Sequence, residues 1–342
     1  STPGASVAHK AVNGRAAVEW ARQNHCDAVI LDIEMPEMDG LTALPKLLDA
    51  RPRAKVLMAS TLTQHNADVT LRAMRAGAAD YIPKPSSMTS GATAESFRKE
   101  VRAKLEAFAE DARESKKRST WSKPSRPKTV VGAGRTPSGM SLRGGQPKRP
   151  DVILVGSSTG GPQALFRVIS DLGRGLRQPV LVTQHMPATF TRILAEHIAR
   201  QCKVDCVEGR DGDFLREGSV FVAPGDHHMT VTRKAGRPAI SLSKGPPENY
   251  CRPSVDPMIR SAVQIYGEKA LAVILTGMGH DGLEGCRQLV EARGSVFAQD
   301  EATSTVWGMP GAVAKAGLCS KVLPLSEIGA EVRKLATSRS AS

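Results

Sequence analysis

The sequence predicts an α/β protein of two doubly wound parallel-sheet domains joined by a basic, flexible linker. Three observations carry this reading. Short apolar runs alternate with helix-patterned stretches in both halves of the chain, the signature of parallel sheets with helices on their faces. Residues able to do chemistry fall just after those runs, at the carboxyl ends of the strands, where open α/β sheets place their sites. Between the halves lies a stretch rich in Pro, Gly, Ser, Lys and Arg with almost no apolar periodicity. The predicted domains are 1–114 and 151–342, with 115–150 as the linker.

The totals narrow the class. At 342 residues, 40% of them hydrophobic, the chain has room for two cores. No run approaches the roughly 18 apolar residues of a membrane span, and no basic-then-apolar leader opens the sequence. Six cysteines without a C-x-x-C pair read as reduced thiols of a cytoplasmic protein rather than as a disulfide framework or zinc site. The net charge of +13 would suggest nucleic acid, but ten Lys and Arg and no acid lie in 115–150. The rest of the chain therefore carries only +3. Trp121 is the one aromatic among those basic residues, so base stacking has little to work with, and a solvated tether is expected. Neither nucleic-acid binding nor membrane insertion is predicted.

In the first domain Asp27–Asp32 is an apolar run ending in an acid, Lys55–Ser60 a second strand, and Asp80–Pro83 a short third followed by Lys84. Helical patterns intervene, as at 67–76 with Gly77 as a stop. A last helix shows Phe97, Val101, Leu105 and Phe108 on one face. Asp32, Ser60 and Lys84 thus sit at three strand ends. L-D-I-E-M-P-E-M-D-G around Asp32, M-A-S around Ser60 and I-P-K-P around Lys84 resemble the flavodoxin-like response-regulator receiver domain. The resemblance implies that Asp32 accepts a phosphoryl group from a histidine kinase, that Ser60 bonds the acyl phosphate and that Lys84 pairs with its charge.

The sequence departs from that pattern at its start. A receiver begins with a central strand carrying the acidic pair that holds Mg²⁺, then a helix; here Val7–Val12 and Gly14–Gln23 read as the second strand and second helix. In strand order 2-1-3-4-5 the missing strand lies between two others. Residues 1–24 are therefore expected to pack poorly unless the natural chain continues upstream. Mg²⁺ would accompany phosphorylation, but with the acidic pair missing only Asp32 is offered as a ligand, and binding by one carboxylate is not expected.

In the last domain apolar runs recur at 152–155, 180–183, 220–223, 271–275 and 295–298. Helical patterns intervene at 190–201, 257–266 and 282–292, and 229–243 alternates like a β-hairpin. Gly156–Gly160 fits G-x-S-x-G, a strand-to-helix turn that presents a serine hydroxyl, here Ser158. Thr183-Gln184-His185 carries a histidine off the next strand, and Gly277-Met278-Gly279-His280-Asp281 an acid off a later one. Parallel strands bring such ends to one edge, so Ser158, His185 and Asp281 form a nucleophile–base–acid set. The rival is a phosphate-cradling loop. The turn lacks the Gly-Lys-Ser/Thr of a P-loop and the ribose-binding acid of a dinucleotide fold, which argues against it.

V-G-S-S-T-G-G-P at 155–162, T-Q-H-M-P at 183–187, R-P-S-V-D at 252–256 and L-T-G-M-G-H-D-G at 275–282 resemble the chemotaxis receptor methylesterases, the CheB family, in a Rossmann-like three-layer domain. The resemblance implies a serine hydrolase that demethylates glutamate methyl esters on chemoreceptors and deamidates receptor glutamines. Ser158, His185 and Asp281 would be its triad. Independently, the residue after an elbow nucleophile, here Thr159, is expected to donate to the oxyanion, with the Met278 turn as a second donor, and no cofactor is expected in catalysis. Its partners would be methyl-accepting receptors and the pathway's histidine kinase. The receiver would cover Ser158 until Asp32 is phosphorylated. The alternative is a phosphorylation-controlled binding module without catalysis.

Overall fold

A computed structural model describes residues 5–61, 63–84, 91–119, 142–144 and 147–338. The first domain opens with α1 (Gly14–Gln23), capped by Asn13, whose side chain accepts from the Ala16 N–H at 2.9 Å. Then follow β1 (Ala28–Asp32), α2 (Gly40–Ala50), β2 (Lys55–Ser60), α3 (Gln64–Arg75), β3 (Asp80–Pro83) and α4 (Gly91–Ser119). The three strands pair in parallel in the order β1-β2-β3.

Two expectations are corrected here. Val7–Val12 forms no strand: the segment is irregular, with Val7 76% and Val12 81% exposed. Among the described residues nothing offers it backbone partners, and an apolar run without a ladder gains little from being extended. Residues 1–24 do not all pack poorly, because α1 buries Val18 and Ala21 against α2. What is left uncovered is β1. Its outer edge meets no further strand among the described residues, and Ile30 is 50% exposed. The linker expected over 115–150 lies mostly outside the described residues; α4 runs to Ser119.

The second domain begins at β4 (Val152–Ser157) and α5 (Gly161–Leu172), then β5 (Val180–Gln184), α6 (Ala188–Cys202), β6 (Asp205–Glu208) and β7 (Ser219–Val222). The antiparallel hairpin β8 (His228–Lys234) and β9 (Arg237–Ser243) interrupts the alternation, as predicted. It resumes with α7 (Val255–Tyr266), β10 (Ala270–Ile274), α8 (Leu283–Glu291), β11 (Ser295–Gln299), α9 (Met309–Lys315), β12 (Lys321–Leu323) and α10 (Leu325–Thr337). Seven parallel strands pair in the order β12-β11-β10-β4-β5-β7-β6. The chain leaves β4 toward β5 and later returns to its other side as β10. The carboxyl end of β4 is therefore the point where the winding reverses, and there the flanking loops diverge to leave a crevice.

The domains share a core. One buried cluster runs from Leu44 and Met58 through Leu71 and Met74 of α3 into Leu165 of α5 and Phe190 of α6. Tyr81 of β3 stacks on Phe190 with ring centroids 4.5 Å apart, and His197 Nε2 of α6 lies 2.6 Å from Asp68 Oδ1 of α3.

Candidate active site

Three adjacent strands, β5-β4-β10, deliver His185, Ser158 and Asp281 from their carboxyl ends. β4 is buried throughout and stops at Ser157. The chain then reverses into α5 through Gly160, whose φ of +75° lies in the left-handed region. A Cβ there would lie 2.3 Å from Thr305 Oγ1, so only glycine makes this turn. Gln184, the last residue of β5, ties the turn down. Its Oε1 accepts from Ser157 Oγ at 2.7 Å and its Nε2 donates to the Ser158 carbonyl at 2.9 Å. From the other side the Ser158 N–H donates to the Thr276 carbonyl at 3.0 Å, and Thr276 Oγ1 donates to the Thr159 carbonyl at 2.9 Å.

Asp281 is buried and heavily bonded. Its Oδ2 lies 2.7 Å from His185 Nε2 and accepts from the Val255 N–H at 2.7 Å. Its Oδ1 accepts from Ser254 Oγ at 2.7 Å and Asn249 Nδ2 at 2.9 Å. Burial alone would raise this carboxyl's pKa, but the bond to His185, the charge on that ring and the Val255 and Ser254 donors together hold it far below the usual range. For His185, burial favours the neutral ring, yet the bond to Asp281 and then contact with Cys251 outweigh it and push the pKa up to about 9. Both shifts favour the charged pair, a protonated ring against a carboxylate.

The third link is open. The Ser158 hydroxyl makes no hydrogen bond among the described residues, and His185 Nδ1 instead faces Cys251 Sγ at 3.4 Å. Ser158, Thr159, His185 and Cys251 line one cavity of about 450 Å³. The N–H groups of Thr159 and Met278 have no acceptor among the described residues and remain available to an oxyanion. The turn carrying Met278 presses on the nucleophile: a Cβ on Gly277 would fall 2.8 Å from Ser158 Cβ.

The same cavity is walled by the first domain, through Asp80, Tyr81, Pro83, Glu100 and Lys104. Thr159 Oγ1 donates to Asp80 Oδ2 at 2.7 Å, next to the nucleophile. Asp80 also pairs with Lys104. At the far end of β3, both Asp32 carboxylate oxygens lie 2.6 Å from Lys84 Nζ. Ser60 follows Ala59, the strand partner of Asp32; its buried hydroxyl accepts from Thr70 Oγ1 at 2.8 Å. A lysine against Asp32, and no cluster of three His, Cys, Asp or Glu among the described residues, do not fit Mg²⁺, which takes about six oxygens.

Sequence reasoning missed Asn249, Ser254 and Cys251. Ser254 lay inside the quoted R-P-S-V-D motif without a role, and Cys251 immediately precedes it. Asn249 carries no sequence signal; its contribution exists only because the loop folds back. No described helix is long and apolar enough to cross a membrane.

Comparison with known proteins gives the family. The family model described as CheB methylesterase matches residues 153–332, and that for a response regulator receiver domain matches residues 2–94. A protein-glutamate methylesterase/protein-glutamine glutaminase of Azospirillum brasilense is 53% identical over 334 residues, covering 95% of this chain and 84% of its own length. A relative of the same description from Rhodospirillum centenum is 51% identical, covering 100% and 90%. The crystal structure of the Thermotoga maritima CheB methylesterase catalytic domain superposes with a TM-score of 0.53 at 37% identity, covering 54% of this chain and 98% of that one. With its elbow serine, its His–Asp pair and a receiver ahead of them, the chain belongs to the CheB methylesterase family.

Proposed function

We propose that this chain is a protein-glutamate methylesterase that also acts as a protein-glutamine glutaminase on methyl-accepting chemotaxis receptors, held in check by its receiver. The observation that carries this is the His185–Asp281 pair at 2.7 Å beside an elbow serine, at the point where the sheet's winding reverses. Ser158 Oγ attacks the side-chain carbonyl of a receptor glutamate methyl ester. His185 Nδ1, the nitrogen not bonded to Asp281, takes the serine proton and later gives it to the departing methanol. Asp281 holds the ring by Nε2 and balances the imidazolium. The N–H groups of Thr159 and Met278 receive the oxyanion; one such donor is worth about 10²–10³ in rate. Water attacks the acyl-enzyme and frees glutamate; with a glutamine substrate ammonia leaves instead. Acyl transfer to and from Ser158, with the accompanying proton movements through His185, accounts for both half-reactions.

Control comes from the first domain. Asp32 accepts a phosphoryl group from the pathway's histidine kinase, and the added oxygens compete for Lys84. The test is methanol release from methylated receptor by the wild-type chain and Ser158→Ala, which should lose at least 10³-fold. Equal release from both would sink the serine mechanism.

A further inference from the structure

The base of this site has two nitrogens, and both are occupied. Nε2 belongs to Asp281 at 2.7 Å. Nδ1, the only one left for Ser158, lies 3.4 Å from Cys251 Sγ, while the serine hydroxyl in the same cavity has no partner among the described residues. The thiol is not there by the chance of a loose loop. Glu248 and Cys251 exchange both backbone bonds, at 3.1 and 2.9 Å, closing a tight turn. Its two inner residues, Asn249 and Tyr250, take φ of +52° and +63°, a conformation non-glycine residues adopt at a cost. Asn249 Nδ2 then bonds both Asp281 Oδ1 at 2.9 Å and Asp256 Oδ2 at 2.8 Å. The turn that presents the sulfur is therefore anchored to the carboxylate that orients the imidazole, which fixes thiol, ring and acid relative to one another.

Resting on the methylesterase reading above, we propose that Cys251 is a positioning residue of the resting site: its sulfur holds the His185 nitrogen that must take the proton from Ser158, so base and nucleophile engage only when that contact opens. Whether the ring donates to sulfur or the thiol donates to the ring, the contact leaves Nδ1 no lone pair to offer serine. The contact with Cys251 is also one of the influences that keep the ring protonated. Other titratable groups surround the cavity: Asp80, Tyr81, Glu100 and Lys104 from the receiver, and Asp226, Tyr250 and Arg252 from the catalytic domain. A change at Cys251 leaves all of them in place, so they cancel in the comparison of variants.

The experiment is the pH dependence of methanol release from methylated receptor, from pH 6 to 10, by the full chain as wild type, Cys251→Ala and Cys251→Ser. It is paired with NMR titration of the His185 ring, in these variants and in a Ser158→Ala background. Cys251→Ala should move the rate inflection and the ring titration to lower pH. It should raise kcat at neutral pH about two- to tenfold, the worth of one ordinary hydrogen bond, with KM unchanged. Cys251→Ser, whose shorter C–O bond leaves the hydroxyl farther from the ring nitrogen than the sulfur is, should fall between alanine and wild type. Unmoved inflection and unmoved ring titration in both variants would overturn the proposal, as would a kcat that falls at every pH. Failure of the methylesterase reading looks different: Ser158→Ala would then release methanol like wild type, while the ring titration still reports what Cys251 does to His185.

Discussion

His185 carries the charge balance of the site, and its environment sets a pH dependence whose sign is determined. Its pKa stands raised from the ordinary 6.5 to about 9, so at neutral pH the ring is mostly protonated and cannot accept from serine. Methanol release by the resting chain should therefore climb as pH rises toward 9; a rate already flat from pH 6.5 upward would contradict this assignment. The same shift bears on stability. A folded pKa above the unfolded one adds stability that is complete below pH 6.5 and disappears as pH passes through about 9. Asp281, shifted down, adds stability above its ordinary 3.8 that is lost as pH falls. Both shifts describe one interaction and count once. Urea unfolding of wild type against His185→Gln should show a gap that narrows between pH 6.5 and 9. Steric detail matters as much as charge. Gly277 leaves 2.8 Å between a would-be Cβ and Ser158 Cβ, and 2.4 Å to Met309 Sδ. Gly277→Ala must push the serine or its turn aside. A displacement of about 1 Å costs on the order of 10²-fold in rate, so kcat should fall far more than the melting temperature; unchanged kcat would show that the turn has slack.

At the scale of elements, strand identity was legible wherever a strand is buried on both faces. The central runs of the second sheet, β4, β5 and β10, are apolar nearly throughout and could be read directly. The strands that were missed are its two edges, β6 and β12, whose sequences Asp-Cys-Val-Glu and Lys-Val-Leu are too short and polar to stand out. The opposite error befell Val7–Val12, where apolar residues form no strand for want of a partner. The candidate residues Ser158, His185 and Asp281 were legible because each follows a readable strand; Asn249 and Cys251 were not, because a turn with two left-handed residues brings them in from a distant loop. β1 shows how topology overrides composition. Its Ile30 and the Leu57 of β2 look alike in sequence, but Ile30 is half exposed and Leu57 fully buried. Ile30→Thr should change stability by no more than about 0.5 kcal/mol, whereas Leu57→Ala should cost about 2–5 kcal/mol. Denaturant unfolding of the two variants decides this, and comparable losses would mean that the edge of β1 is covered.

For the whole molecule, the decisive feature is that β3 reaches both sites. Lys84, just beyond its carboxyl end, holds Asp32 at 2.6 Å. Asp80, at its start, accepts from Thr159 at 2.7 Å beside the nucleophile. Tyr81 between them stacks on Phe190. In the proposed control a phosphoryl group on Asp32 would draw on Lys84, and β3 is the element through which that demand would arrive at the domain contact. The proposed control is a two-position equilibrium, with the receiver walling the cavity in the closed position seen here and withdrawn in the open one, activity following the open fraction. The Asp80–Thr159 bond joins receiver to catalytic domain, so on this proposal deleting it shifts the balance without touching the reacting atoms. Hydrogen bonds to a charged group contribute about 1.5–3 kcal/mol, roughly a ten- to hundredfold change in the ratio of open to closed. In the full chain Asp80→Asn should lose part of this bond and Asp80→Ala all of it, with basal methanol release rising in that order and phosphorylation adding progressively less. The order matters because Asp80 also pairs with Lys104 inside the receiver. Mere loosening of that domain would lower the melting temperature in proportion to any gain in rate. A release of the catalytic domain instead predicts that Tyr81→Ala, which removes the stack on Phe190 and leaves Asp80 and Lys104 intact, raises basal activity as well. If both substitutions destabilise the chain and neither raises methanol release, the receiver does not restrain the esterase through this face.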